Sequence, residues 1–242
     1  MGGGAGRSHV RLAELVAALS LGVDLGFGQP MEHVLRQCLI ALRIADRAGL
    51  SASRERLLAG LSGDVLEIGA GTGANLPCYG PAVTSLTLTE PQPPMLRRLE
   101  RTAGEHRPSA TVLRAPAEDL PFDDHSFDVA VSTLVLCGVD DQPRALRELR
   151  RVLRPGGQLV FFEHVRAGDP ATARLQDRMN WLNRIVVCCD CNRPTLDSID
   201  AAGFTLAQLE HTTLPKAPKF VRPAILGSAT APALRSSEHA VS

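Results

Sequence analysis

The sequence predicts an α/β fold, a doubly wound and mostly parallel sheet with an N-terminal helical extension. Three observations point to it. From Val65 onward, short runs that are apolar throughout alternate with segments of helix length, which is how strands read when helices cover both faces of a parallel sheet. The first of these runs feeds a glycine-rich turn, Gly69-Ala70-Gly71-Thr72-Gly73. Finally, 44% hydrophobic against 21% charged residues, over 242 positions, suits one domain of generous size with a short appendage.

Residues 1–52 are expected to form the extension, 53–230 the sheet domain, and 231–242 a disordered tail rich in Ala, Pro and Ser. In the extension, Leu12, Leu15, Val16 and Leu19 fall at helical spacing. Val34, Cys38, Leu42 and Ala45 repeat that spacing after a breaker at Gly26 to Pro30. The sheet domain then reads as strand Val65–Ile68, helix from Ala74, strand Ser85–Thr89, helix from Pro93 and strand Thr111–Ala115. Strand Phe127–Ser132, helix Pro143–Val152 and strand Gln158–Glu163 continue the series. Helix Pro194–Ala202 stops at Gly203, and Thr205–Glu210 with Val221–Gly227 is expected to close the sheet as a hairpin.

Charge and composition narrow the function. Twenty-six basic and 26 acidic residues cancel, so no overall field favours nucleic acid or an anionic membrane. Only 4% of residues are aromatic and no basic groove is evident, so nucleic acid is not the expected partner. Leu12 to Gly28 is interrupted by Glu14 and Asp24, and Trp181 to Cys189 is too short to span a bilayer; no transmembrane segment or export signal is expected. Six cysteines without such a signal read as reduced thiols of a cytoplasmic protein.

The functional centre is the strand and turn from Val65 to Asn75. Glycines there let a ligand lie against the backbone, although Gly69, Gly71 and Ala74 also satisfy a dinucleotide fingerprint. Acids at strand ends separate the two cases. Glu67 precedes the turn, where it can order the loop or face a ligand ammonium; Glu90 closes the second strand, where a carboxylate can accept both ribose hydroxyls. Glu118 follows the third strand, within reach of an exocyclic adenine amine. Three carboxylates suit a positively charged adenosine ligand and repel a pyrophosphate.

Taken with Ala117-Glu118-Asp119-Leu120-Pro121-Phe122, Ser126-Phe127-Asp128-Val129 and Arg151-Val152-Leu153-Arg154-Pro155-Gly156-Gly157, the run from Glu67 to Gly73 resembles a class I S-adenosylmethionine-dependent methyltransferase of the small-molecule branch. Ser132 to Cys137, Phe162 to Val165, Asp190 to Asn192 and Val221 to Pro223 are similar to the methyltransferase-like 7 group, whose vertebrate members act on thiols. The resemblance implies S-adenosyl-L-methionine as cofactor and a small-molecule acceptor, a thiol, a hydroxyl or similar. It implies that Gly69, Ala70, Gly71 and Asn75, with Glu67 and Gly73 framing them, line the methionine and ribose end. Glu90 then binds the ribose, Pro91 and Met95 pack near adenine, and Ala117 and Glu118 meet the adenine edge. Thr133 and Leu134 border the reactive methyl. Many relatives carry Asp where this chain has Pro116, which moves the adenine-amine contact to Glu118 or a backbone carbonyl.

Glu163-His164, at the end of the fifth strand, is the candidate catalytic pair, with His164 able to take a proton near neutral pH; the alternative is that the pair caps the strand. Asp128 is expected to order its loop. Cys188-Cys189-Asp190-Cys191 with His211 lacks the paired spacing of a zinc site and reads as core cysteines, and Cys137 as packing beside the cofactor; no metal is expected. Met179, Trp181 and Leu182 read as a helix face over the substrate cavity.

The segment from Leu12 to Asp46 resembles the opening helices of an HD-type phosphohydrolase, in which His33 is the first metal ligand; the later ligands are absent, so no hydrolase activity follows. Two other functions remain open at this level. One is a nicotinamide-dependent oxidoreductase, the other a non-catalytic S-adenosylmethionine-binding regulatory protein.

Overall fold

The computed structural model describes residues 50–187, 189–214 and 217–233. The helices expected before Leu50, with His33, lie outside the described residues, as do Cys188, Lys216 and the tail from Leu234.

Seven strands form one sheet: β1 (Gly63–Ile68), β2 (Val83–Thr89), β3 (Thr111–Leu113), β4 (Phe127–Thr133), β5 (Leu153–His164), β6 (Thr205–Thr213) and β7 (Pro223–Thr230). Their order across the sheet is β3-β2-β1-β4-β5-β7-β6, parallel except that β7 runs antiparallel to both neighbours. The doubly wound, mostly parallel reading is therefore right, and the expected hairpin closes the sheet. Strand order reverses between β1 and β4, so a crevice opens where these two strands end, the usual position for a ligand in such a sheet.

Period-two alternation explains why the strands read as apolar throughout. Leu66, Ile68, Ala130, Leu159 and Phe161 enter one core with Leu146 and Leu149 of helix α3 (Gln142–Val152). Val65, Val129, Val131 and Val160 enter the opposite core, with Leu58 of α1 (Leu50–Leu58) and Leu99 of α2 (Pro93–His106). Helix α2 starts on proline, where the missing N–H costs nothing, and buries Met95, Leu99 and Ala103 as one stripe at fourfold spacing. The Asp141 carboxylate caps α3 by accepting from the Arg144 N–H at 2.9 Å. Two further helices, α4 (Pro170–Val187) and α5 (Thr195–Ala201), are the remaining α-helices among the described residues. No described helix is long and apolar enough to cross a membrane.

The structure corrects several expectations. After the glycine turn there is no α-helix from Ala74, only a single 3₁₀ turn at Leu76–Cys78. Pro77, Gly80 and Pro81 leave no room for regular i→i−4 bonding there. β3 stops at Leu113 because its partner strand ends at Thr89, the residue opposite. Helix α1 runs across the expected boundary at 52/53, and Leu50 packs with Phe162, Leu214, Ala224 and Leu226. At the other boundary, Ala231, just past the end of β7, is buried and bonds through both backbone groups to Gly156 and Gly157. Trp181 is 64% exposed and does not seal a cavity with its own surface.

Candidate active site

The loop leaving β1 is shaped by contacts with β2 and β4. The Ala70 N–H donates to the Thr89 carbonyl at 2.8 Å, and the Gly73 N–H to the Ala70 carbonyl at 2.9 Å, closing the turn. Gly69 has φ +54°, and a Cβ there would lie 2.7 Å from a Val135 methyl, so only glycine lets the two loops meet. Opposite it, Leu134 also adopts a positive φ, +59°, held by its N–H donating to the Phe162 carbonyl at 2.7 Å. A leucine in that region costs about 1 kcal/mol or more, and it stands where β4 ends at the crevice.

Two of the three strand-end acids converge on this loop. Glu67 is buried; it accepts from Asn75 Nδ2 at 2.9 Å and from the Tyr79 hydroxyl at 2.7 Å. Burial pushes its carboxyl up to about 7, against the pull of those two hydrogen bonds and of the Arg54 charge. Asn75 Nδ2 also donates to Thr133 Oγ1 at 3.0 Å, which ties β1, the loop and β4 together. The Asn75 Oδ1 atom is buried with no hydrogen-bond partner among the described residues. Glu90 is also buried: its carboxylate accepts from the Gly71 N–H at 3.0 Å and the Gln92 N–H at 2.9 Å, while burial raises its pKa. Met95 is buried on α2, its methyl 3.3 Å from where a Cβ of Gly71 would stand, and the Pro91 carbonyl accepts from Arg114 Nε at 3.1 Å.

The third acid is tied to a neighbouring loop through one carboxylate oxygen. Ala117 is buried in the core, and the Glu118 carboxylate accepts from the Asp140 and Asp141 N–H groups at 2.8 and 3.3 Å. It binds the loop that leads into α3. Asp128, expected to order its loop, accepts from the Asp64 N–H and pairs with Arg154 at the other end of the sheet.

The expected catalytic pair is held by buried contacts. Glu163 is fully buried and accepts four hydrogen bonds: Ser132 Oγ at 2.6 Å, then the N–H groups of Val135, Leu136 and Cys137 at 3.0, 3.1 and 3.2 Å. Burial raises its pKa and these donors oppose the rise. A carboxylate so held shapes the 135–137 turn.

His164 is buried, and its Nδ1 lies 3.2 Å from the Cys189 sulfur. The Cys137 thiol donates to that same sulfur. This bond, followed by the contact with His164, lowers the Cys189 pKa, while Cys137 as donor is pushed up. Burial disfavours charge on His164, but the Cys189 sulfur carries its pKa upward on balance. The cysteines thus behave partly as expected, since Cys189 and Cys191 are buried. The grouping of Cys137, His164 and Cys189 has no signature in sequence spacing.

Tyr79, the chain's only tyrosine, also escaped the sequence reading. A buried phenol needs an acceptor, and Glu67 is the acid nearest before it in sequence; that requirement was the available signal.

A methyltransferase-domain family model matches residues 66–161. The chain is 36% identical over 188 residues to a thiol S-methyltransferase of Homo sapiens, covering 71% of this chain and 72% of that protein. It is 32% identical over 183 residues to a demethylmenaquinone methyltransferase of Clavibacter sepedonicus, covering 66% and 72%. Among solved structures, an S-adenosylmethionine-dependent methyltransferase from Mesorhizobium loti superposes with a TM-score of 0.58 at 23% identity, over 77% of this chain and 99% of that one.

Proposed function

This chain belongs to the class I S-adenosylmethionine-dependent methyltransferases acting on small molecules, and we propose that its acceptor is a thiol. When bound, S-adenosylmethionine supplies a methyl group already activated by the positive sulfonium that carries it. The residues of the loop suit that cofactor. The unpartnered Asn75 Oδ1 is a buried acceptor fit for the ammonium of the methionine part, with the Glu67 carboxyl one bond away. Glu90, holding the Gly71 N–H, offers carboxylate oxygens to ribose hydroxyls; Met95 and Pro91 stand beside it for the base. Thr133 and Leu134 border the reacting centre from β4, and Ala117 and Glu118 the adenine edge.

In this reading the protein's main task is alignment of nucleophile, methyl carbon and leaving sulfur, and such positioning contributes roughly 7–11 kcal/mol. A hydroxyl acceptor also needs a strong base in place. Glu163 is held by four donors and His164 Nδ1 by the Cys189 sulfur, which leaves only the buried Nε2 of His164 for that work. A thiol, with its ordinary pKa near about 8.5, is partly ionised at neutral pH and needs far less help. The observation that carries the thiol assignment is the 36% identity to a thiol S-methyltransferase across most of both chains. The four described cysteines are all free thiols, which suits a reducing compartment such as the cytoplasm.

The test is turnover of a panel of alkyl and aryl thiols, phenols and quinols with S-adenosylmethionine. We expect S-methyl thioether and S-adenosylhomocysteine in equal amounts from thiols. Methylation of phenols or quinols without methylation of thiols overturns the acceptor assignment but leaves the family intact.

A further inference from the structure

We infer that Cys137, Cys189 and His164 form a binding site for Zn²⁺, with one coordination position left open. No residue of the cofactor loop contributes to it, and it stands whatever the methyl acceptor is.

The donor atoms of the three side chains all lie within 4.8 Å of one another, and all three residues are buried. Tetrahedral zinc with ordinary Zn–S and Zn–N bonds places such donors roughly 3.5–3.8 Å apart, so the sulfurs need to close by about an ångström at most. The Nδ1 to sulfur separation of 3.2 Å is already at that scale.

Three segments distant in sequence bring the donors together, and each is pinned. Cys137 follows β4 in the turn held by Glu163, His164 ends β5, and Cys189 follows α4. The Cys137 carbonyl accepts from the Asp190 N–H at 2.8 Å, locking the first cysteine's loop to the second's. The Cys189 carbonyl accepts from Asn183 Nδ2 at 2.6 Å, and Asp190 is held by Arg193 at 2.7 Å and by Asn180 at 2.7 Å. A site fixed in this way before binding spends little of its affinity on ordering.

Chemistry selects the ion. Two sulfurs and an imidazole are soft to borderline donors that prefer zinc or copper(I) over magnesium or calcium. Burial then favours the combination that sums to zero charge. Two thiolates with Zn²⁺ are neutral, whereas with a monovalent ion they leave a net negative site beside buried Glu163. Among the described residues no fourth Cys, His or acid joins the group, so zinc here keeps an open position for water or a small ligand.

Cobalt(II) is the probe, because it occupies zinc sites and reports its ligands by colour. We expect one equivalent of Co²⁺, added to the reduced full-length protein, to give thiolate-to-cobalt charge-transfer absorption and the intense visible bands of a tetrahedral ion, both bleached by Zn²⁺. Cys189→Ser and His164→Ala should each weaken Co²⁺ binding by at least about tenfold, while Cys78→Ser should leave it unchanged. Circular dichroism and S-adenosylhomocysteine binding verify that each variant is folded. Absence of the charge-transfer band in folded, reduced wild-type protein overturns the site. So does a band that survives both Cys189→Ser and His164→Ala.

Discussion

Glu67 is a carboxyl held at about 7 by burial, and this has a consequence for stability. Its pKa is raised relative to the unfolded chain, so its favourable contribution is complete below about pH 4.5 and is lost as pH rises towards 7. The difference is about 3 kcal/mol for a fully buried group. Glu67→Gln keeps hydrogen-bonding partners for Asn75 and Tyr79 without the ionisation. We therefore expect wild type to lose stability relative to Glu67→Gln as pH rises from 4.5 to 7, measured by denaturant unfolding across that range. Parallel curves for the two proteins would contradict the buried assignment. At this scale some of the site was legible in sequence and some was not. Glu67 and Glu90 stand at strand ends, and a strand end is readable from a local apolar run. The opposite holds for His164 and Cys189: they lie 25 residues apart in sequence and meet only because β5 and the chain after α4 fold to one place. Glu163 looked catalytic for the same reason, since the N–H groups that saturate it belong to a turn whose closeness only the β4–β5 pairing creates.

The elements carry the next set of consequences. β7 lies between β5 and β6, and Gly227 faces Phe161 on one side and Leu209 on the other. A Cβ at Gly227 would collide with the Gln208 carbonyl, so the hairpin that closes the sheet depends on that missing atom. We expect Gly227→Ala to cost about 1–3 kcal/mol, read as a lower denaturation midpoint, because overpacking against backbone cannot relax by a rotamer change. An unchanged midpoint would place the hairpin elsewhere. Strand and helix identities were largely readable because both periodicities are local. Met95, Leu99 and Ala103 announce α2, and the Val65, Val129 and Val131 runs announce covered strands. The helix expected after the glycine turn was misread because Rossmann-like sheets commonly place one there. Pro77 and the Gly80-Pro81 pair were the contrary local signal, and they prevailed.

For the whole molecule, the reversal of strand order between β1 and β4 places the glycine loop, Glu67, Glu90 and Thr133 at one crevice. A chain with no net charge gains little from long-range steering, so in the proposed reading cofactor affinity rests on these few buried contacts. Calorimetric titration of S-adenosylhomocysteine into wild type and Glu90→Ala tests this most directly. We expect wild type to bind one equivalent and the variant to bind roughly 1–3 kcal/mol more weakly, about five- to 150-fold, for the loss of a buried carboxylate proposed to accept the ribose hydroxyls. A folded Glu90→Ala protein that binds as tightly as wild type would show that the nucleoside does not sit on this loop.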